Sequence, residues 1–489
     1  MTQSCGGSLT VLKRRAAASP SSQVPAWSEP DNGQQLIPFV LAGSWHAKNE
    51  FDLTVIEQLT GQPSAEAMLY AARVAEMSEP PLLNVGNTWS VVSREDSWDL
   101  VARFVTGNML SRFEDVALKV FQEELPEFEL DANERWMAGV KGKKAKFSSM
   151  LRKGIVESLA LLTSRNEMLP EAIGMQAKSI ADRLVRKLLP TKGNWRRWAS
   201  LSRQLPNLAE AAPEAYLQIL KTSIEQDESP VLKLFEETGD APMSGCLFAG
   251  LLWSLETLAW TPQYLTKACL ALAALDKNAD STRWCNSPIN SLRTIFLPWL
   301  PYTTATVEQR ILAVKKILKA YPDVGWKLLI GLMPRFHDTA SPTRFPNWRD
   351  WSSTWSREFS QKDFSKFTSA CADLIVENTL AQRDRWEQVI ENITRIPDQW
   401  RSEIVSGFIQ SDVEQFDVEL RKRLADMLRN TIRKNRDHRD AKWALSNEVV
   451  EQFEQALLHI EPDDIVQKQL WLFAEWVELE GIYLSLIHI

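Results

Sequence analysis

The residue pair most suggestive of chemistry is His337-Asp338, inside "PRFHDTASPTRFPNWRDWSSTWSREFS" (334–360). An imidazole beside a carboxylate is part of an acid–base relay. No nucleophile stands at a recognisable spacing from it, and such work needs convergent partners. The five cysteines, Cys5, Cys246, Cys269, Cys285 and Cys371, are scattered and form no CxxC pair. That spacing suggests neither a zinc site nor a disulfide framework. The five histidines are scattered too, and His459 and His488 lie in apolar surroundings. No GxxxxGK[ST] occurs. The chain therefore lacks the backbone cradle and lysine that hold a triphosphate. The expectation is a non-catalytic chain with no catalytic residue, no metal ligand and no cofactor of its own. An enzyme with an unrecognised site is the alternative, and only the long loop speaks for it.

What that loop does carry is aromatic bulk. It holds Pro334, Pro342 and Pro346 together with Trp348, Trp351 and Trp355. Prolines lower the entropy lost when a loop is fixed. If "NWRDWSSTW" makes a turn or two of helix, its three rings share a face. Burying that face on neighbouring helices stabilises at about 25 cal/mol per Å². Arg344, Arg349 and Arg357 would then stay at the rim, where arginine suits contact with a partner. This reading makes Arg344, Trp348, Arg349, Trp351 and Trp355 a partner surface. The competing reading is a loop stapled over a helix edge.

The elements that position this loop are helical. "TVEQRILAVKKILKAY" (306–321) opens with a capping box of Thr306 and Gln309 and carries one apolar stripe. "TPQYLTKACLALAALD" (261–276) opens with Thr261 as N-cap and Pro262 at the first helical position. It follows a helix over 247–260 directly, so the two must turn back on each other. Twenty tryptophans against six tyrosines fit this pattern, since most sit at helical spacing beside leucines. Short helices joined by Pro-bearing turns build an irregular α-solenoid over 108–483, with no strict repeat period. Nearer the N-terminus the period changes. "SAEAMLYAARVAEM" (64–77) reads as a helix capped by Ser64. "PPLLNVGNTWSVVS" (80–93) reads as a hairpin turning at Gly86-Asn87. A helix over 94–106 comes next. That order predicts a winged-helix domain over 36–107, preceded by an Ala/Ser/Pro-rich linker over 16–35. The fold class is all-α.

Charge and hydropathy narrow the function classes. Net charge is −7 with both signs intermixed, which argues against a dedicated nucleic-acid binder. The helix 94–106, "REDSWDLVARFVT", carries Arg94 and Arg103 against Glu95, Asp96 and Asp99, a poor match to phosphates. A stand-alone winged-helix nucleic-acid binder is thus the demoted alternative. No apolar run approaches the roughly 20 residues needed to span a bilayer, so no membrane partner and a cytoplasmic location are expected.

Three resemblances refine this. "LSLIHI" (484–489) resembles a translated transposon-end sequencing adapter, which implies an artefact and a gene that continues beyond Tyr483. "CGGSLTVLKRR" (5–15) resembles the Gly-Leu-Pro-Leu-Ala-Leu segment of STAND-type NTPases, signal-transduction ATPases related to apoptosis and plant-resistance proteins. In that family the segment comes after the P-loop core and leads into a winged helix. The resemblance places Gly7, Ser8 and Leu9 beside the adenine, with Ser8 or Leu9 in place of the proline. The family's Met-His-Asp motif is replaced by "SRED" (93–96). "LLWSLETLAW", "NSLRTIFLPWLPYT" and "PNWRDW" look similar to the long helical region of very large bacterial STAND-like antiphage defence proteins. The resemblance implies that residues 1–15 are the remnant of an NTPase helical domain. It also implies that the arm senses a foreign protein, while the parent binds ATP and Mg and can form a homo-oligomer.

Overall fold

The computed structural model describes residues 11–12, 25–238, 246–279, 286–333, 338–381, 385–396, 398–412, 416–441 and 444–461. Helix accounts for 68% and strand for 3%, so the class is all-α with one small sheet.

The first module runs α1 (Pro30–Ala42), β1 (Ser44–His46), α2 (Glu50–Thr60), α3 (Ser64–Ala75), β2 (Leu82–Val85), β3 (Thr88–Val91) and α4 (Arg94–Val101). The sheet is antiparallel with order β1-β3-β2. Val85 pairs with Thr88 across the expected two-residue turn. Gly86 alone of the two turn residues has positive φ, at 64°. Positive φ at the first turn position only is the type II′ pattern. β1 does not emerge from the sequence pattern, because three residues are too few to show alternation. Its Trp45 is opposite Trp89 and stacks on it at 5.8 Å.

Several boundaries differ from expectation. The linker assigned to 16–35 does not extend through 25–35. Trp27 is buried and donates from Nε1 to the Glu79 carbonyl at 2.8 Å, and α1 starts at Pro30. A proline at the first helical position opens α1, as its missing N–H allows. Ser64 is not an N-cap but the first residue of α3, because Pro63 takes the cap. The Ser64 N–H donates instead to Glu57 Oε1 at 2.8 Å. The helix at 94 ends at Val101 rather than 106 and continues as a single 3₁₀ turn, Ala102–Phe104.

This module is welded to the next two helices, α5 (Gly107–Phe121) and α6 (Ser149–Ser164). Gly154 of α6 lies so close to α1 that a Cβ there would sit 2.1 Å from the Ala42 carbonyl oxygen. Arg94 donates to the carbonyls of Val40 and Gly154, each at 2.9 Å, and to Ser158 Oγ at 2.5 Å. Asp52, fully buried, accepts from the His46 N–H at 2.9 Å and from Ser148 through N–H and Oγ.

The remaining helices are α7 (Glu171–Leu188), α8 (Trp195–Ser200), α9 (Leu205–Ala211), α10 (Pro213–Ile224), α11 (Pro230–Glu236), α12 (Ala249–Leu258), α13 (Pro262–Asn278), α14 (Pro288–Ile295), α15 (Val307–Ala320), α16 (Pro322–Leu332), α17 (Gln361–Ala381), α18 (Trp386–Glu391), α19 (Asp398–Gln410), α20 (Val418–Asp437) and α21 (Asn447–Ile460). Pro213, Pro230, Pro262, Pro288 and Pro322 each occupy a first turn. The capping box of Thr306 and Gln309 on α15 and the Thr261 N-cap position of α13 are present. Packing follows chain order. One row runs α6, α9, α12, α14, α16, and a second runs α7, α10, α13, α15, α17, α19, α21. Each helix touches the next in its row, and those up to α17 also touch neighbours in the other row. The core lies between the rows.

Candidate functional site

The loop 338–360 is where the sequence concentrates its unusual residues, and the structure makes it a strap across the first row. Two helices hold it, each with one buried carboxylate. On α9, Glu210 is 1% exposed. It accepts the backbone N–H groups of Asn347, Trp348 and Arg349 at 3.0, 2.7 and 3.1 Å. On α12, Glu256 accepts the Arg344 N–H at 2.9 Å and the Ser291 hydroxyl at 2.6 Å. Burial pushes both carboxyls above their ordinary value, against the opposing pull of these donors. A strap without secondary structure has backbone donors to satisfy, and a carboxylate offers two oxygens to several of them at once.

The arginines divide. Arg349 does not stand at the rim as expected. Its guanidinium donates to the Glu210 carbonyl at 3.1 and 3.0 Å and to Thr163 Oγ1 at 3.3 Å. It is half-buried, with desolvation pulling its pKa down. Arg344 and Arg357 are exposed. Arg344 makes its hydrogen bonds to the helices through its backbone, while its side chain lies over the Trp253 ring at 5.8 Å with its charge acting on Glu256.

The tryptophans divide as well. "NWRDWSSTW" forms bends and turns rather than a helix, so the three rings do not share a face. Trp348 turns to α9 and donates to Asn207 Oδ1 at 3.1 Å. Trp351 meets Tyr264 edge-on at 5.7 Å. Trp355 stacks on Tyr302 at 5.4 Å, meets Trp260 edge-on, and donates to the Pro301 carbonyl at 2.7 Å. Trp260, fully buried, is the hub of this second small core with Leu297 and Tyr302, and donates to the Arg344 carbonyl at 2.9 Å.

Asp338 begins the strap. It is ion-paired with Arg293 and accepts from Trp299 Nε1 at 3.3 Å. Its oxygens tie the start of the strap to these two side chains. His337 lies outside the described residues, as do Gly7, Ser8, Leu9 and residues 484–489. Among the described residues no cluster of His, Cys, Asp or Glu is arranged to hold a metal ion. No helix there is long and apolar enough to cross a membrane.

Glu210 escapes sequence reasoning. Its signal is a carboxylate inside the apolar helix stretch "LPNLAEA", with Glu214 following on the next helix and no cation within the stretch to announce a pair. Two cavities are equally invisible from sequence. One, of about 490 Å³, lies between α10 and α13 with Leu217, Ile224, Leu270 and Tyr321 in its wall. The other, of about 220 Å³, lies under the strap and is lined by Arg310.

No protein-family model matches the chain, and no curated protein matches it. One solved structure, the crystal structure of an engineered protein, aligns over 90% of this chain and 97% of its own at 13% identity. Its TM-score is 0.22, a likeness that carries no argument about fold or function.

Proposed function

We propose that the chain is a non-catalytic interaction scaffold, an α-solenoid arm joined to a winged-helix module, from a STAND-type signalling ATPase of antiviral defence. The observation that carries the scaffold reading is the packing of helices in two rows in chain order. A quasi-one-dimensional array offers a long surface, and such arrays serve as binding faces. The order helix, strand, helix, helix, strand, strand over residues 30–91 supports the winged-helix reading. The arm binds a protein ligand. The exposed Arg344 over half-exposed Trp253 is the aromatic and arginine combination that anchors interfaces.

The nucleic-acid alternative has little support. In a winged helix the helix ahead of the wing enters the groove, and here that is α3, not α4. The exposed residues of α3 are Ala65, Glu66, Leu69, Ala72 and Arg73. Beside them the wing exposes Leu83 and Val85. One cation against one anion, among apolar side chains, gives little phosphate neutralisation.

The DNA that flanks this reading frame is the test. A P-loop encoded in frame upstream of Met1 supports the arm assignment, and an independent stop codon there with no P-loop overturns it. Titration with duplex DNA tests the alternative, since sub-micromolar affinity with a steep salt slope would sink the protein-scaffold reading.

A further inference from the structure

The cavity under the strap is built around a cation with unfilled hydrogen-bonding capacity. Arg310, on the first turn of α15, is 3% exposed. Its Nε and Nη1 find no acceptor among the described residues. One face of the guanidinium lies on the Phe367 ring at 4.8 Å, which leaves the N–H edge free. An arginine buried in this way is destabilising unless its donors are satisfied. Asp363 and Glu308 act on Arg310 through charge alone, neither accepting a hydrogen bond from it, and Glu308 is itself ion-paired with Lys366.

The rest of the wall is donor-rich on one side and apolar on the other. Ser356 Oγ accepts the Glu358 N–H at 2.9 Å, and Ser360 Oγ accepts the Asp363 N–H at 3.3 Å. Both hydroxyls keep a proton to donate. Ser360 also sits at the N-terminus of α17, where the helix dipole favours negative charge. Trp299, Leu300 and Trp355 supply the apolar side. Glu358 and Asp363, both exposed, sit on the same lining. Two exposed acids beside one buried arginine oppose any anion and oppose a dianion about twice as strongly as a monoanion, so an anion held at the arginine is a monoanion with an apolar stem.

We propose that this cavity is a carboxylate-binding site, with Arg310 as the anchor and the Ser356 and Ser360 hydroxyls as supporting donors. The carboxylate comes from a small organic acid or from a peptide chain terminus. Trp355 links the site to the strap, so occupancy bears on the same element that Glu210 and Glu256 hold.

The experiment is calorimetric titration of the full chain with sodium propionate, with a short peptide ending in Leu-CO₂⁻, with its C-amidated twin, and with inorganic phosphate. The proposal expects binding of propionate or of the free-acid peptide, and weaker binding of phosphate. Tighter binding of the free acid than of the amide assigns the chain terminus, whereas propionate binding with no peptide binding assigns the small acid. Arg310→Met is expected to weaken carboxylate binding by roughly tenfold or more, the loss of a charge-assisted hydrogen bond. The double variant Ser356→Ala, Ser360→Ala, on exposed positions, reads the same site if Arg310→Met fails to fold. Three results overturn the proposal: no carboxylate bound, phosphate bound more tightly, or affinity unchanged in either variant.

Discussion

Glu210 and Arg310 are buried to nearly the same degree, and the protein treats them in opposite ways. Glu210 meets three backbone N–H groups of the strap, and its own carbonyl takes up Arg349. Arg310 meets an aromatic face and an open cavity. Buried charges in this chain sort by whether the fold itself fills their bonding capacity. A charge whose bonding capacity is filled from within is structural. A charge left with unfilled capacity beside a cavity is the better candidate for a ligand.

The largest effects belong to the strap. Trp260→Ala removes the hub of the small core and should cost about 3–5 kcal/mol, read from chemical denaturation. Survival of full stability there would mean that the strap contributes nothing. Glu210→Ala strands three N–H donors and should cost roughly 3 kcal/mol. It should also open 338–360 to limited proteolysis ahead of global unfolding, and an uncut strap would refute the clamp. Arg310→Met is the sharpest contrast. With its Nε and Nη1 bonded to nothing among the described residues, it should leave stability within about 1 kcal/mol of wild type or raise it. A loss as large as that of Glu210→Ala would make Arg310 structural and end the distinction.

Acidity sharpens the picture. The folded-state pKa values of Glu210 and Glu256 are raised above the ordinary 4.5. The folded chain therefore binds protons more tightly than the unfolded chain. The contribution of these two groups to stability is highest in acid and falls as pH rises from 4.5 through the raised values. Thermal melts along that rise should show wild type losing ground relative to Glu210→Gln, and parallel curves would contradict the raised pKa. The smallest effect belongs to Arg344→Ala. Its hydrogen bonds to the helices are made by backbone, and its exposed side chain adds only a screened charge contact with Glu256, so stability should stay within about 0.5 kcal/mol.

Local patterns are legible where a single element decides them. The capping box at Thr306, the hairpin at Gly86 and the prolines that open helices are read within a few residues, and each is present. The strap's location is legible from its prolines and tryptophans. Its geometry is not, because the clamp on Arg349 comes from α9, 139 residues earlier. The rule of rings sharing a helix face also fails there. Carboxylates from two other helices outcompete a local helix for the strap's N–H groups. β1 and the Arg310 cavity are invisible for the same reason, since pairing and enclosure arise between elements distant in the chain.

That 139-residue span has a consequence in time. Nearest-neighbour rows can assemble as the chain emerges, each helix docking on the last. The strap cannot, because its anchor waits for residues made much later. At about 5–20 residues per second, Glu210 is synthesised roughly 7–28 s before the N–H groups that will satisfy it. During that interval it is a carboxylate on an apolar helix with nothing to hold. The strap is therefore a late latch on a vectorially built array, and the interval before it closes is when the nascent chain exposes Trp260 and the surface around it.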